Sequence, residues 1–127
     1  MNRFIDKDVD IKSLSPLALA FIGDCVYELF VREQLICDGN CPANKLHKRS
    51  VEKVCCKAQA ADVEKILPIL SEEEVSVYKR GRNAHTNNIP KNATYAEYHK
   101  ATGLETLFGY LYLKGNLLRL KELFSLL

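Results

Sequence analysis

The stretch from Leu17 to about Ile36 constrains this chain most, because it repeats apolar residues at helical spacing for about five turns. Ser15-Pro16 marks its start, with a capping serine and a proline in the first turn. Asp38-Gly39-Asn40 marks its end, where Gly39 suits a left-handed C-terminal cap. The segment FIGDCVYELF reads as core helix, yet it contains Gly23, Asp24 and Glu28. Glycine in mid-helix costs about 1 kcal/mol relative to alanine, so its presence points to close approach of another helix. A buried carboxylate without a partner is costlier still, and calls for a proton, a cation or a metal ion beside it.

The rest of the chain reads as helix too. A second helical stretch is expected from Cys41-Pro42 to about Leu67, with Leu46, Val54, Ala58, Ala61 and Lys65 on one face, a break near Ser50 open, and Pro68 as the stop. Ser71 with Glu74 three residues later is a capping box, and the helix it opens fades at Gly81. Residues 82–93, RNAHTNNIPKNA, are almost devoid of apolar side chains and form the longest loop. Thr94 caps a helix that runs to about Leu113, Lys114-Gly115-Asn116 breaks it, and LLRLKELFSLL forms a last amphipathic helix. No alternating strand pattern and no internal repeat is present. The expectation is an all-α bundle of five or six helices, with residues 1–13 as a flexible lead-in and 14–127 as one domain.

Composition excludes several classes. With 47% apolar and 27% charged residues the chain has the makeup of a globular protein, not a disordered one. The 5 cysteines are odd in number and form no C-x-x-C pair, so neither a disulfide framework nor a zinc site is expected; they read as reduced thiols filling apolar positions. MNRFIDKDVDIK lacks the apolar core of a signal peptide, and no run is long enough to span a membrane, which points to a cytoplasmic protein with no membrane partner. A net charge of +2 says nothing about nucleic acid until the charges are located.

Two features could carry chemistry. Phe21, Asp24, Cys25 and Glu28 share a helical stripe, and ATGLETLFGYLYL repeats the same recipe of apolar body, small residues and one acid, with Gly103 and Gly109 flanking Glu105. If the two helices pack at their glycines, Asp24 and Glu105 face each other, and a divalent cation or a proton must separate them. Otherwise each acid ends on a solvated edge; periodicity leaves both readings open. The second feature is YKRGRNAHTNNIPK, which gathers Lys79, Arg80, Arg82, His85 and Lys91 without an acid between Glu74 and Glu97, and NKLHKRS adds Lys45, Lys48 and Arg49. These can contact phosphate oxygens, or can be cations placed where a helix C-terminus favours them. His47, His85 and His99 show no metal-ligand spacing, and no phosphate-binding glycine loop is present.

LALAFIGDCVYELFVR resembles the signature helix of the ribonuclease III family, and ETLFGYLYL resembles that family's later acid-bearing helix. Together with LHKRSVEKVCCKAQA and KRGRNAHTNNIPKNATYAEYHKATG, the likeness runs from about Leu14 to Leu123. It is strongest to the short bacterial branch, which has the catalytic domain and no appended double-stranded-RNA-binding domain. The resemblance implies an all-α endonuclease domain acting as a homodimer with the GD helix near the interface. It implies cleavage of double-stranded RNA, the precursor of large-subunit ribosomal RNA, with magnesium as cofactor, 5′-phosphate and 3′-hydroxyl products, and a ribosomal protein as a further partner. Asp24 corresponds to the family's catalytic aspartate and metal ligand, and Glu105 to its second metal ligand.

Two departures bear on the metal count. Ala20 and Thr102 stand where full-length members carry further acids. One magnesium ion between Asp24 and Glu105 is therefore expected, with Glu28 as an outer-shell candidate, and Lys79, Arg80, Arg82, His85 and Lys91 as the RNA contacts. The missing acids also keep open a non-catalytic double-stranded-RNA-binding module, and the apolar last helix keeps open a helical protein-interaction module.

Overall fold

The computed structural model describes residues 3–85 and 89–127, and every described element is helical. Six α-helices follow in order: α1 (Pro16–Cys37), α2 (Ala43–Val54), α3 (Cys56–Ile66), α4 (Glu72–Arg82), α5 (Tyr95–Leu113) and α6 (Leu117–Phe124), with single 3-10 turns at Ile11–Ser13 and Leu67–Ile69. The starts follow the local chemistry. Ser15 accepts from the Ala18 amide, Ser71 and Thr94 form complete capping boxes with Glu74 and Glu97, and Asn116 accepts from Arg119. Gly39, at φ 139°, lets the chain leave α1 in a conformation closed to other residues. Ahead of α1, the backbone amide of Phe4 donates to the Tyr112 hydroxyl, so the lead-in lies against the end of α5.

α5 is the axis of the bundle, with α1, α3 and α4 packed around it and ten of its residues buried. Two seams of glycine permit this. A Cβ on Gly23 would stand 1.7 Å from the Glu105 carbonyl oxygen, and one on Gly109 1.9 Å from the Leu19 carbonyl oxygen, so α1 and α5 touch backbone to backbone. On the other side Gly81 of α4 lies against Thr106 and Gly103. Tyr27, Phe108, Leu104, Leu107, Val63, Ile66, Leu120 and Leu123 fill the core between the helices.

The long second stretch divides at Cys55, which is extended (φ −69°, ψ 155°), and Ser50 instead lies buried inside α2. That break changes the helical phase. The buried face of α3 is Gln59, Ala60, Val63 and Ile66, while Ala61 and Lys65, expected to share a face with Leu46, are exposed. No glycine or proline marks the position. The bend is set by packing, since it lets α2 lie on α1 and α3 lie on α5. The cysteines also depart from expectation: all five are free thiols, but Cys25, Cys37 and Cys55 are exposed instead of filling the core.

Glu74 ties three elements together. Its carboxylate accepts from the Ser71 amide at 2.9 Å and takes Arg119 bidentately at 2.8 and 2.8 Å, while Arg119 also donates to the Ile69 carbonyl. The Arg119 guanidinium holds the Glu74 carboxyl below the usual range, against the opposing effect of burial. Arg119→Met should therefore strand a buried charge and cost about 3–5 kcal/mol in urea unfolding, and adding Glu74→Gln should recover part of the loss. A cost within about 0.5 kcal/mol would reduce the network to an ordinary surface pair.

Candidate active site

The glycine seam between α1 and α5 decides which side chains meet. Gly23 sits on the Glu105 carbonyl, which brings the neighbouring residue Asp24 against the Glu105 side chain. Glu105 is half-buried, and its carboxyl is pushed up to about 8, first by burial, then by the Asp24 charge and by the hydrogen bond to Asp24. With its proton in place, Glu105 donates to the Asp24 carboxylate. Asp24 itself is exposed, contrary to its reading as a buried acid: the stripe Phe21, Asp24, Cys25 and Glu28 lies toward solvent, with Phe21 80% exposed. Thus one acid of the pair is held in the bundle and the other faces outward.

Two carboxyl groups in contact need a proton or a cation between them. Without a cation the proton does this, and stability depends on pH. Because Glu105 titrates above its ordinary value in the folded protein, its contribution is fully present below about 4.5 and is lost as pH rises through about 8. In EDTA the melting temperature should fall between about pH 4.5 and pH 8 and level off above, and Asp24→Asn should flatten that fall. A profile identical in the variant would mean that the two acids do not interact.

The surroundings add residues that periodicity did not find. Cys56, at the start of α3, feels the Glu105 charge, and its thiol is pushed up by burial first and by Glu105 next. Tyr27, one turn after Asp24, is buried, packs at a tilt against Phe108, and donates its hydroxyl to Asp62 at 2.5 Å; burial and that bond keep it protonated. No sequence signal pointed to Cys56, which meets the Glu105 charge from the start of α3, or to Asp62, which meets Tyr27. The doublet of tyrosine and glutamate after the GD step could have drawn attention to Tyr27.

The other expected residues fall into two groups. Glu28 lies one turn beyond Asp24, and its carboxylate is engaged by Arg32 at 2.8 Å. Ala20 is buried and Thr102 spends its hydroxyl on the Tyr98 carbonyl, so neither replaces a carboxylate. Among the described residues no group of three His, Cys, Asp or Glu side chains is placed to share a metal ion. The donor set is two carboxylates, which suits a hard cation that keeps most of its water, as magnesium does.

Of the cations, Lys79, Arg80, His85 and Lys91 are exposed and Arg82 is partly so. Arg80 reaches the Leu14 carbonyl ahead of α1, and Arg82 lies over the Tyr78 ring and bonds Asn83. They are not drawn to the acid pair, but Gly81 between them packs on Gly103 and Thr106, which flank Glu105. Thr86, Asn87 and Asn88 of the polar loop lie outside the described residues.

Comparison with known proteins follows the same lines. The Ribonuclease III domain family model matches residues 17–116. The chain is 49% identical over 116 residues to a Mini-ribonuclease 3 of Thermoanaerobacter sp. (strain X514), covering 91% of this chain and 82% of that one. It is 45% identical to the Mini-ribonuclease 3 of Clostridium tetani, covering 92% and 78%. The crystal structure of protein FN1578 from Fusobacterium nucleatum superposes with a TM-score of 0.83 at 34% identity, over 93% of this chain and 94% of that one.

Proposed function

The chain belongs to the ribonuclease III family, and from that premise we propose that Asp24 and Glu105 are its catalytic pair and bind one magnesium ion between them. The protein is an endoribonuclease acting on double-stranded RNA. The observation that carries the assignment of residues is the carboxyl–carboxyl contact at the glycine seam, with Glu105 held protonated to about pH 8. A divalent cation takes the place of that proton, so the pair binds metal best where the proton is easily given up. When bound, magnesium supplies a nucleophilic water and offsets the charge that grows on the scissile phosphate, which leaves 5′-phosphate and 3′-hydroxyl ends.

The chain's own residues do the rest in this reading. Glu105, fixed in the bundle by the seam, sets the position of the site. Asp24, exposed, offers its carboxylate where an RNA strand can reach it. Glu28, held by Arg32, stays in the outer shell. Lys79, Arg80, Arg82, His85 and Lys91 bind backbone phosphates, so recognition follows the shape of the duplex and weakens steeply with salt. Two acids, with no third such side chain grouped with them among the described residues, favour a single firmly held ion.

The natural substrate in this proposal is the precursor of large-subunit ribosomal RNA, cut in the cytoplasm with a ribosomal protein as a further partner. Among the described residues no helix is long and apolar enough to cross a membrane. A homodimer is supported by the exposed apolar side of α1, where Leu17, Phe21 and Leu29 are 42%, 80% and 59% accessible and want a second copy of the chain to cover them. Incubation of the protein with a duplex RNA, with and without magnesium, tests the central claim. Metal-dependent internal cuts are expected; binding without cleavage under any divalent ion would leave only a binding module.

A further inference from the structure

The C-terminal part of α1 and the facing side of α2 enclose a cleft of about 290 Å³ that shares no residue with the acid pair. Arg32, Leu35 and Ile36 line it from α1, and Ala43, Leu46, His47 and Ser50 from α2, each set at the spacing of one helix face. Its floor holds an unexplained group. Ser50 is 3% exposed, and its hydroxyl has no hydrogen-bond partner among the described residues. A buried hydroxyl left unpaired carries the full cost of its lost hydration, so it normally has a partner. The mouth favours an anion. Arg32 gives only Nη2 to Glu28 and is 60% exposed, His47 is exposed, and no carboxylate lines the cleft. No side chain caps the first amides of α2, and Ala43 at that end lines the cleft. Between mouth and floor the walls are apolar: Leu35, Leu46 and the exposed Ile36.

We propose that this cleft binds a nucleoside 5′-monophosphate, either free or as the phosphorylated 5′ end of an RNA strand. The phosphate sits between Arg32, His47 and the α2 N-terminus, the base lies against Leu35 and Leu46, and a polar base edge pairs the Ser50 hydroxyl. The lining excludes the alternatives one by one. A fatty acid would leave Ser50 unpaired. A zwitterionic amino acid would bring an ammonium to a cleft without a carboxylate. An inorganic anion would leave the apolar walls and the buried hydroxyl unused. From Ala43 to Ser50 the helix rises about 10 Å, which suits one nucleotide and is short of two.

Calorimetric titration in EDTA, where the acid pair holds no metal, tests this with AMP, adenosine, inorganic phosphate and an RNA tetranucleotide with or without a 5′-phosphate. AMP should bind with a Kd below about 1 mM, and adenosine and phosphate about tenfold or more weakly. Arg32→Gln should raise the AMP Kd about tenfold. Ser50→Ala should raise it about fivefold, yet leave the ligand-free melting temperature equal or higher, because an unpaired hydroxyl is removed. Lys121→Gln, outside the cleft, should change neither. A phosphorylated tetranucleotide that binds about tenfold more tightly than both AMP and its 5′-hydroxyl form identifies the RNA end as the occupant. Binding no tighter than that of AMP identifies the free nucleotide. The proposal is overturned by any of four results: no binding of AMP or the phosphorylated tetranucleotide at about 5 mM, phosphate binding as tightly as AMP, an unchanged Kd in either cleft variant, or a Ser50→Ala protein that melts well below wild type.

Discussion

Asp24→Asn should abolish cleavage while making the metal-free protein more stable at pH 8. The two effects have opposite signs and one cause. In the wild type, burial first and then the Asp24 charge push the Glu105 carboxyl up to about 8. The amide of asparagine carries no charge and can donate to Glu105, so the repulsion at pH 8 disappears. What is lost is one of the two ligands proposed for magnesium. Several kcal/mol of transition-state stabilisation goes with it, about 10³-fold or more in rate. The variant should also lose the rise in melting temperature that magnesium gives the wild type, because that rise measures binding to the folded state. Gel assays of duplex cleavage and thermal melts with EDTA or magnesium check all three. Unaltered cleavage would remove Asp24 from the chemistry, and a destabilised variant would make its role one of packing.

Gly23→Ala should destabilise the bundle by about 3 kcal/mol or more, although alanine is the better helix former by about 1 kcal/mol. The overlap decides the sign. The added methyl would lie 1.7 Å from the Glu105 carbonyl oxygen, 2.6 Å from its carbon and 2.7 Å from the Gly109 nitrogen, and all three belong to backbone that cannot rotate aside. The helices must separate, and the first residue moved is Glu105. A shift of about 1 Å at a group with the role proposed for Glu105 can cost about 100-fold in rate, so activity should fall further than the folded fraction does. Gly109→Ala strikes the Leu19 carbonyl from the other helix and should act in the same direction. Because both substitutions open one seam, their costs should sum to more than the double variant shows. Urea unfolding followed by circular dichroism gives the numbers; a Gly23→Ala protein more stable than wild type would show that α1 and α5 do not meet at this point.

Helix starts and stops were legible because they depend on residues three or four apart. Ser15, Ser71 and Thr94 cap the amides that their spacing predicts, and Gly39 and Gly115 have the positive φ that ends a helix. The recipe shared by α1 and α5, glycine and one acid in an apolar body, was legible for the same reason. The bend at Cys55 was not, because no local residue requires it. It exists so that α2 and α3 can cover different neighbours, and it rotates Ala61 and Lys65 out of the face expected for them. Glu74 read only as a capping residue; that it also holds Arg119, 45 residues away, depends on where α6 docks.

For the site, the sequence alone determined the identity of the two acids and the presence of small residues beside them. Only the tertiary structure decided that Asp24 stands in solvent while Glu105 is half-buried, that Cys56 and Tyr27 feel the Glu105 charge, and that Asp62 holds the Tyr27 hydroxyl. The reason is that burial, contact and the energy of a charge are properties of distance in space. A helix reports its own face through its period, but which neighbour covers that face, and how closely, is settled where two backbones touch at Gly23 and Gly109.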